Sequence, residues 1–161
     1  MSDPLHDFDF LEGSWNVRHR RLKERLTGNT EWEEFDGTCT MQRLMDGAAN
    51  IDDNLLHLPA GTYRGVGLRS YDAKEQAWRI WWLDSRMPAN LDVPVKGGFK
   101  DGTGTFLADD TLRGKPIKVR FTWSHITANT AQWEQAFSPD GGKTWELNWH
   151  MDFERVADGT N

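Results

Sequence analysis

Almost the whole chain alternates apolar with polar residues, interrupted at short intervals by Gly, Pro, Asn and Asp, and that pattern admits strands and little else. Runs of this kind are expected at about 14–26, 31–45, 48–58, 62–72, 76–84, 95–100, 103–109, 117–126, 131–138 and 144–155. Ile117, Val119, Phe121 and Trp123 keep the period cleanly. So do Trp145, Leu147, Trp149, Met151 and Phe153, which strict alternation puts on one face of the last strand. The stretch 85–98 is less regular: Pro88 and Pro94 remove backbone donors, so it is expected to form part of a rim. Thr27-Gly28-Asn29, Asp46-Gly47 and Lys100-Asp101-Gly102 are short turns, and strands joined by short turns run antiparallel. A meander of so many strands curls, and closing it removes the unpaired edges. The expected fold is all-β, a single domain over residues 1–161 forming an up-and-down antiparallel β-barrel of about ten strands. A sandwich of the same strands is the alternative.

The N-terminal segment departs from this pattern. Asp3-Pro4 reads as a cap followed by proline at the first helical position, Leu5, Phe8 and Leu11 recur at helical spacing, and Gly13 ends the run. About two turns of helix are expected there, closing one end of the barrel. Residues 158–161 are expected to fray.

Composition narrows the function classes. Nine tryptophans against two tyrosines supply either an aromatic core or an aromatic-lined cavity. The net charge is −6 with scattered Lys and Arg, which argues against nucleic acid as a partner. Cys39 is the one cysteine, so no disulfide framework can form within the chain. The first residues lack a basic and apolar leader, and the longest apolar run, Ile80-Trp81-Trp82-Leu83, cannot span a bilayer. The expectation is a cytoplasmic protein with a small-molecule partner, no membrane and no cofactor; a homodimer is left open. No two His or Cys residues show metal-ligand spacing, so no metal is expected.

Gly13-Ser14-Trp15 after a short helix, with Arg155 late in the last strand, resembles the lipocalin pattern, which implies that Trp15 forms the barrel floor and Arg155 lies across its face. Several stretches strengthen the likeness: Phe8-Asp9-Phe10-Leu11-Glu12-Gly13-Ser14-Trp15, Leu68-Arg69-Ser70-Tyr71-Asp72, Trp78-Arg79-Ile80-Trp81-Trp82, and Gln135-Ala136-Phe137-Ser138 leading to Trp145. Through them nearly the whole chain resembles a bacterial family of lipocalin-like proteins in the calycin superfamily. That resemblance implies a β-barrel and supplies neither an activity nor catalytic residues. Ser138-Pro139-Asp140-Gly141-Gly142-Lys143-Thr144-Trp145 fits the Asp-box pattern, read here as a structural turn.

Parity then suggests an inner wall. If Trp15 faces inward, so do Val17, His19 and Arg21; if Arg155 does, so do Trp149, Met151 and Phe153. Arg69, Trp82, Asp84, Trp133 and Gln135 join them when their strands keep the same sense. Such a wall is mostly apolar with a few placed donors and acceptors, as ligand pockets are. The competing reading is a solid core with His19, Arg21 and Arg69 in solvent. The first functional expectation is intracellular binding of a small hydrophobic or aromatic ligand with a polar or anionic group. The contact set would be His19, Arg21, Arg69, Trp82, Trp133, Gln135 and Trp149. A buried arginine needs a counter-charge, and Asp84 is the expected resident partner, replaceable by a ligand carboxylate. The second is a cofactor-free enzyme of isomerase, cyclase or hydrolase type, with His19 and Asp84 as the acid–base pair. The third is haem binding through His125 or His150.

Overall fold

In the computed structural model, which describes residues 3–157, ten antiparallel strands close into one barrel. They are β1 (Gly13–Leu22), β2 (Trp32–Leu44), β3 (Ala49–Leu58), β4 (Gly61–Asp72), β5 (Ala77–Asp84), β6 (Val95–Lys100), β7 (Thr103–Leu112), β8 (Lys115–Ser124), β9 (Thr130–Ser138) and β10 (Glu146–Arg155). Each strand pairs with its sequence neighbours, and β1 pairs with β10 to complete the ring. The anticipated tail at 158–161 lies outside the described residues. No helix among the described residues is long and apolar enough to cross a membrane.

Alternation works as the pleat requires. In β1, Trp15, Val17 and His19 are buried while Ser14, Asn16, Arg18 and Arg20 are exposed. One expectation fails in β10. The register shifts between Leu147 and Trp149, so Asn148 and Trp149 are both buried and Leu147 is 39% exposed. The extra residue is Asn148, whose Oδ1 accepts a hydrogen bond from Gln135 Nε2 at 2.8 Å. A bulge of this kind flips the faces of everything before it. Trp145 falls outside the strand and lies half-buried beneath Arg120, 4.2 Å from guanidinium carbon to ring centre.

The N-terminal helix consists of two single 3₁₀ turns, Pro4–His6 and Asp9–Leu11. Asp3 caps the first, accepting from the Leu5 amide at 2.9 Å. Phe8 leaves helical geometry between them and turns its ring into the barrel, edge-on to Trp78 at 5.0 Å and to Phe99 at 5.1 Å. Trp15 Nε1 donates to the Leu11 carbonyl at 2.8 Å. Arg155, opposite Trp15 in the ladder, lies 4.2 Å above its ring and donates to the carbonyls of Phe10, Glu12 and Ala128. The arrangement implied by the Gly13-x-Trp15 motif and Arg155 is therefore present, and this end is sealed.

The other end is not. β5 and β6 share only the pairs from Trp78↔Gly97 to Ile80↔Val95. Beyond them the segment 85–94 leans across the gap, tied by the Asp92 amide to the Trp82 carbonyl at 3.0 Å and by a bridge between Leu83 and Leu91. The expected rim is this segment.

Candidate functional site

A barrel of eight strands is just filled by its own side chains, and ten strands enclose more space than that. Here the upper half of the interior stays open as a cavity of about 380 Å³. Its walls are Trp82, Trp133, Trp149, Phe121, Phe137 and Met151. Three edge-to-face contacts hold the aromatic wall: Trp82 on Trp149 at 6.1 Å, Trp133 on Trp149 at 5.5 Å, and Phe121 on Trp133 at 4.9 Å. Gly65 makes room for this wall, since a Cβ there would overlap the Trp82 ring.

The floor is polar. Arg69 is 4% exposed and donates to Asp52 and, at 2.8 Å, to Asn50 Oδ1. Asp52 also accepts from Asn54 and, at 3.0 Å, from the Gly67 amide. Beneath, the Arg69 guanidinium carbon sits 5.0 Å from the Phe8 ring centre, so this layer separates the cavity from the aromatic plug. A buried cation with a carboxylate and an amide oxygen around it is a compensated charge. The Arg69 partner is thus Asp52, not the expected Asp84: cross-strand geometry puts Asp52 opposite Gly67, two residues from Arg69 on the inner face of β4.

At the mouth, Asp84 is gripped by Arg86 through several hydrogen bonds, the shortest 2.7 Å. Burial would raise the Asp84 carboxyl, but the Arg86 bonds outweigh it and hold it below the usual carboxylate value. Arg86 also lies 3.7 Å over the Tyr63 ring. Arg21 stacks on the Trp149 face at 4.5 Å and donates to the Tyr63 hydroxyl at 3.3 Å. Arg25 completes this side; burial first, and then the charge of Arg21, lower its pKa.

Of the seven residues expected to contact ligand, Arg21, Arg69, Trp82, Trp133, Gln135 and Trp149 line the cavity. His19 does not. It lies behind Trp149, stacked on Phe35 at 4.6 Å, and its Nδ1 accepts from Trp149 Nε1 at 3.0 Å. Burial, reinforced by the nearby Arg21 charge, lowers its pKa from 6.5 to about 3. The structure therefore does not join His19 to Asp84: one is committed to Trp149, the other to Arg86. Nor do the haem candidates reach the cavity. His150 points outward between Glu134 and Asp152, and His125 is exposed beyond the end of β8. No His or Cys lines the cavity among the described residues. Cys39 is buried in the wall, and burial pushes its thiol well above the ordinary value.

Sequence reasoning missed Asp52, Asn50, Asn54, Tyr63 and Arg25. A signal existed for three of them: Asn50, Asp52 and Asn54 repeat with period two, so the inner face of β3 was bound to be polar. The Asp-box turn forms as read. Asp140 accepts from Thr144, Ser138 and the Lys143 amide, and these bonds, the Thr144 side chain first, lower its carboxyl to about 2. A larger depression of about 720 Å³ crosses β1, β2, β9 and β10, where charged side chains such as Arg18, Asp36, Asp152 and Glu154 mix with Val17, Ala131 and Phe153; it is a surface hollow, more open than the barrel cavity and without a tryptophan wall.

No protein-family model and no curated protein matches the sequence. Among solved structures, the S-type phycobiliprotein lyase CPES from Guillardia theta is similar with a TM-score of 0.60 at 10% identity, over 94% of this chain and 92% of that one. EF1p2_mFAP2b, solved bound to DFHBI, is similar with a TM-score of 0.51 at 10% identity, over 96% of this chain and all of that one. At such identity the likeness is one of fold.

Proposed function

We propose that the protein binds a small, mostly aromatic or hydrophobic molecule inside the barrel, through a cavity walled by Trp82, Trp133 and Trp149. The observation that carries this is the cavity: about 380 Å³ of open volume, apolar on its sides and polar at floor and mouth. At the ~0.74 packing density of protein interiors that space takes about 280 Å³ of ligand, up to about three aromatic rings with a short substituent. The two similar barrels give the proposal a precedent in kind, one being solved with DFHBI bound and the other being a phycobiliprotein lyase.

Binding is the better supported reading because the expected His19–Asp84 acid–base pair does not form. A histidine held neutral and engaged with an indole N–H is a wall component, and a carboxylate clamped by Arg86 is a poor proton acceptor. Titration of aromatic compounds against intrinsic tryptophan fluorescence tests the proposal. A saturable change is expected, and Met151→Trp, which fills the cavity from its wall, should abolish it while the far-ultraviolet circular dichroism stays that of a barrel. A flat response across a broad panel of aromatic compounds would remove the proposal.

A further inference from the structure

Three arginines line the cavity, and they are not equivalent. Arg69 at the floor is neutralised by Asp52. Arg21 and Arg25 at the mouth have no carboxylate in ion-pair contact among the described residues. Among the described residues the Arg21 Nε is buried without a hydrogen-bond partner, and the guanidinium's one side-chain bond is from Nη1 to the Tyr63 hydroxyl at 3.3 Å. Glu146 is the acid whose charge reaches Arg25, yet its Oε1 already accepts from the Leu26 amide at 2.9 Å. Of the aspartates on this side, Asp84 is held by Arg86, and Asp92 makes no ion pair with Arg21 or Arg25 among the described residues; burial first, then the charges of Asp110 and Asp84, raise its carboxyl above the usual value. Arg21, Arg25 and Arg69 equal Asp52, Asp84 and Asp92 in number around the cavity, so Arg21 is set apart not by an excess of positive charge but by donors left without an acidic partner.

An under-partnered guanidinium on an indole face keeps its fork of donors available for a planar or tetrahedral anion. The floor offers no such place: the Arg69 Nε also lacks a hydrogen-bond partner, but an anion there meets the Asp52 carboxylate, which already neutralises that guanidinium. We infer that the ligand is an aromatic anion, a carboxylate or sulfonate in chemical class, that enters ring first and leaves its charged group at the mouth on Arg21. Arg25 and the Tyr63 hydroxyl flank that position, and the ring lies among Trp82, Trp133 and Phe121. This inference rests on the cavity being a binding site and adds the charge and orientation of what binds.

Two fluorescent probes with the same ring system separate the two claims: anilinonaphthalene sulfonate, which is anionic, and N-phenylnaphthylamine, which is neutral. The intact protein should bind both and each should displace the other, with the sulfonate favoured. Arg21→Gln should weaken the sulfonate by about 10- to 100-fold, the effect of losing a charge-assisted pair, and leave the neutral probe within about two-fold. Added salt should weaken only the sulfonate. Should Arg21→Gln fail to fold, Arg25→Gln and the salt dependence of the two probes on the native chain carry the same comparison. Equal effects on both probes, no effect on either, or probes that do not displace each other would overturn the anion assignment and leave the cavity in question only if the neutral probe also fails. Failure of both probes to bind the native chain would remove the cavity reading and the anion assignment with it.

Discussion

The barrel carries the same pairing, an arginine laid on a tryptophan, at each of its two ends, and the two copies are finished differently. At the closed end Arg155 lies 4.2 Å from the Trp15 ring and saturates three backbone carbonyls, while Trp15 donates to Leu11. At the open end Arg21 lies 4.5 Å from the Trp149 ring and makes one long bond to Tyr63, while Trp149 donates to His19. Both indole N–H groups are satisfied inside the protein, so neither tryptophan is waiting for a partner. The difference lies in the arginines. One is a bolt between the N-terminal turns, β10 and the β8–β9 turn. The other has donors left over beside an open volume. The comparison teaches that a residue pair by itself does not declare its role; how completely its hydrogen bonds are used does.

Breaking the closed end should have the largest effect. Trp15→Ala should destabilise the fold by about 3–5 kcal/mol, since it removes a fully buried indole and the plug's hydrogen bond, measurable by urea unfolding. Acid should come next, and it acts on the open end. The His19 pKa is depressed from 6.5 to about 3, so the unfolded chain binds its proton first. Stability from this group is fully present above about pH 6.5 and is lost as pH falls toward 3, with a slope approaching about 1.4 kcal/mol per pH unit. His19→Gln, which keeps an acceptor for Trp149, should flatten that acid slope in unfolding midpoints taken across the window.

Smaller differences sharpen the contrast between the arginines. Arg155→Ala should cost about 2–3 kcal/mol, for three backbone carbonyls lose their donor. Arg21→Ala should change thermal stability by about 0.5 kcal/mol or less, because it removes one long hydrogen bond and a stacking contact while relieving an unsatisfied buried Nε. Equal losses at the two positions would mean that Arg21 is structural and would erase the distinction. Last, the Cys39 thiol should resist labelling by a disulfide reagent in the native state and react only on unfolding, as its burial and raised pKa require.

Much of the interior was legible because parity is local. Trp15 facing inward carries Val17, His19 and Arg21 with it, and the inner face of β1 follows from the pleat alone. The aromatic wall was legible too: Trp82, Trp133, Trp149 and Gln135 lie on inner faces as alternation requires. Parity failed where a residue was added. The bulge at Asn148 turns Leu147 outward and removes Trp145 from the strand, and it depends on a bond to Gln135 in β9 that no pattern within β10 announces. Pairing between strands was also out of reach. Asp84 was the expected counter-charge because it shared a face with Arg69, but Asp52 is the one that register brings within bonding distance.

The sequence by itself determined an antiparallel meander of about ten strands and the alternation of its faces, because turns and two-residue periodicity act over a few residues at a time, while the seal of Arg155 over Trp15 was implied by the lipocalin resemblance. Only the tertiary structure decided which inward charges are cancelled, that His19 stands behind the wall and not in it, and that the upper half of the barrel stays empty. Those are properties of groups brought together from distant strands. Charge compensation and free volume depend on distances of a few ångströms across the barrel, and the order of residues along one strand carries no record of them.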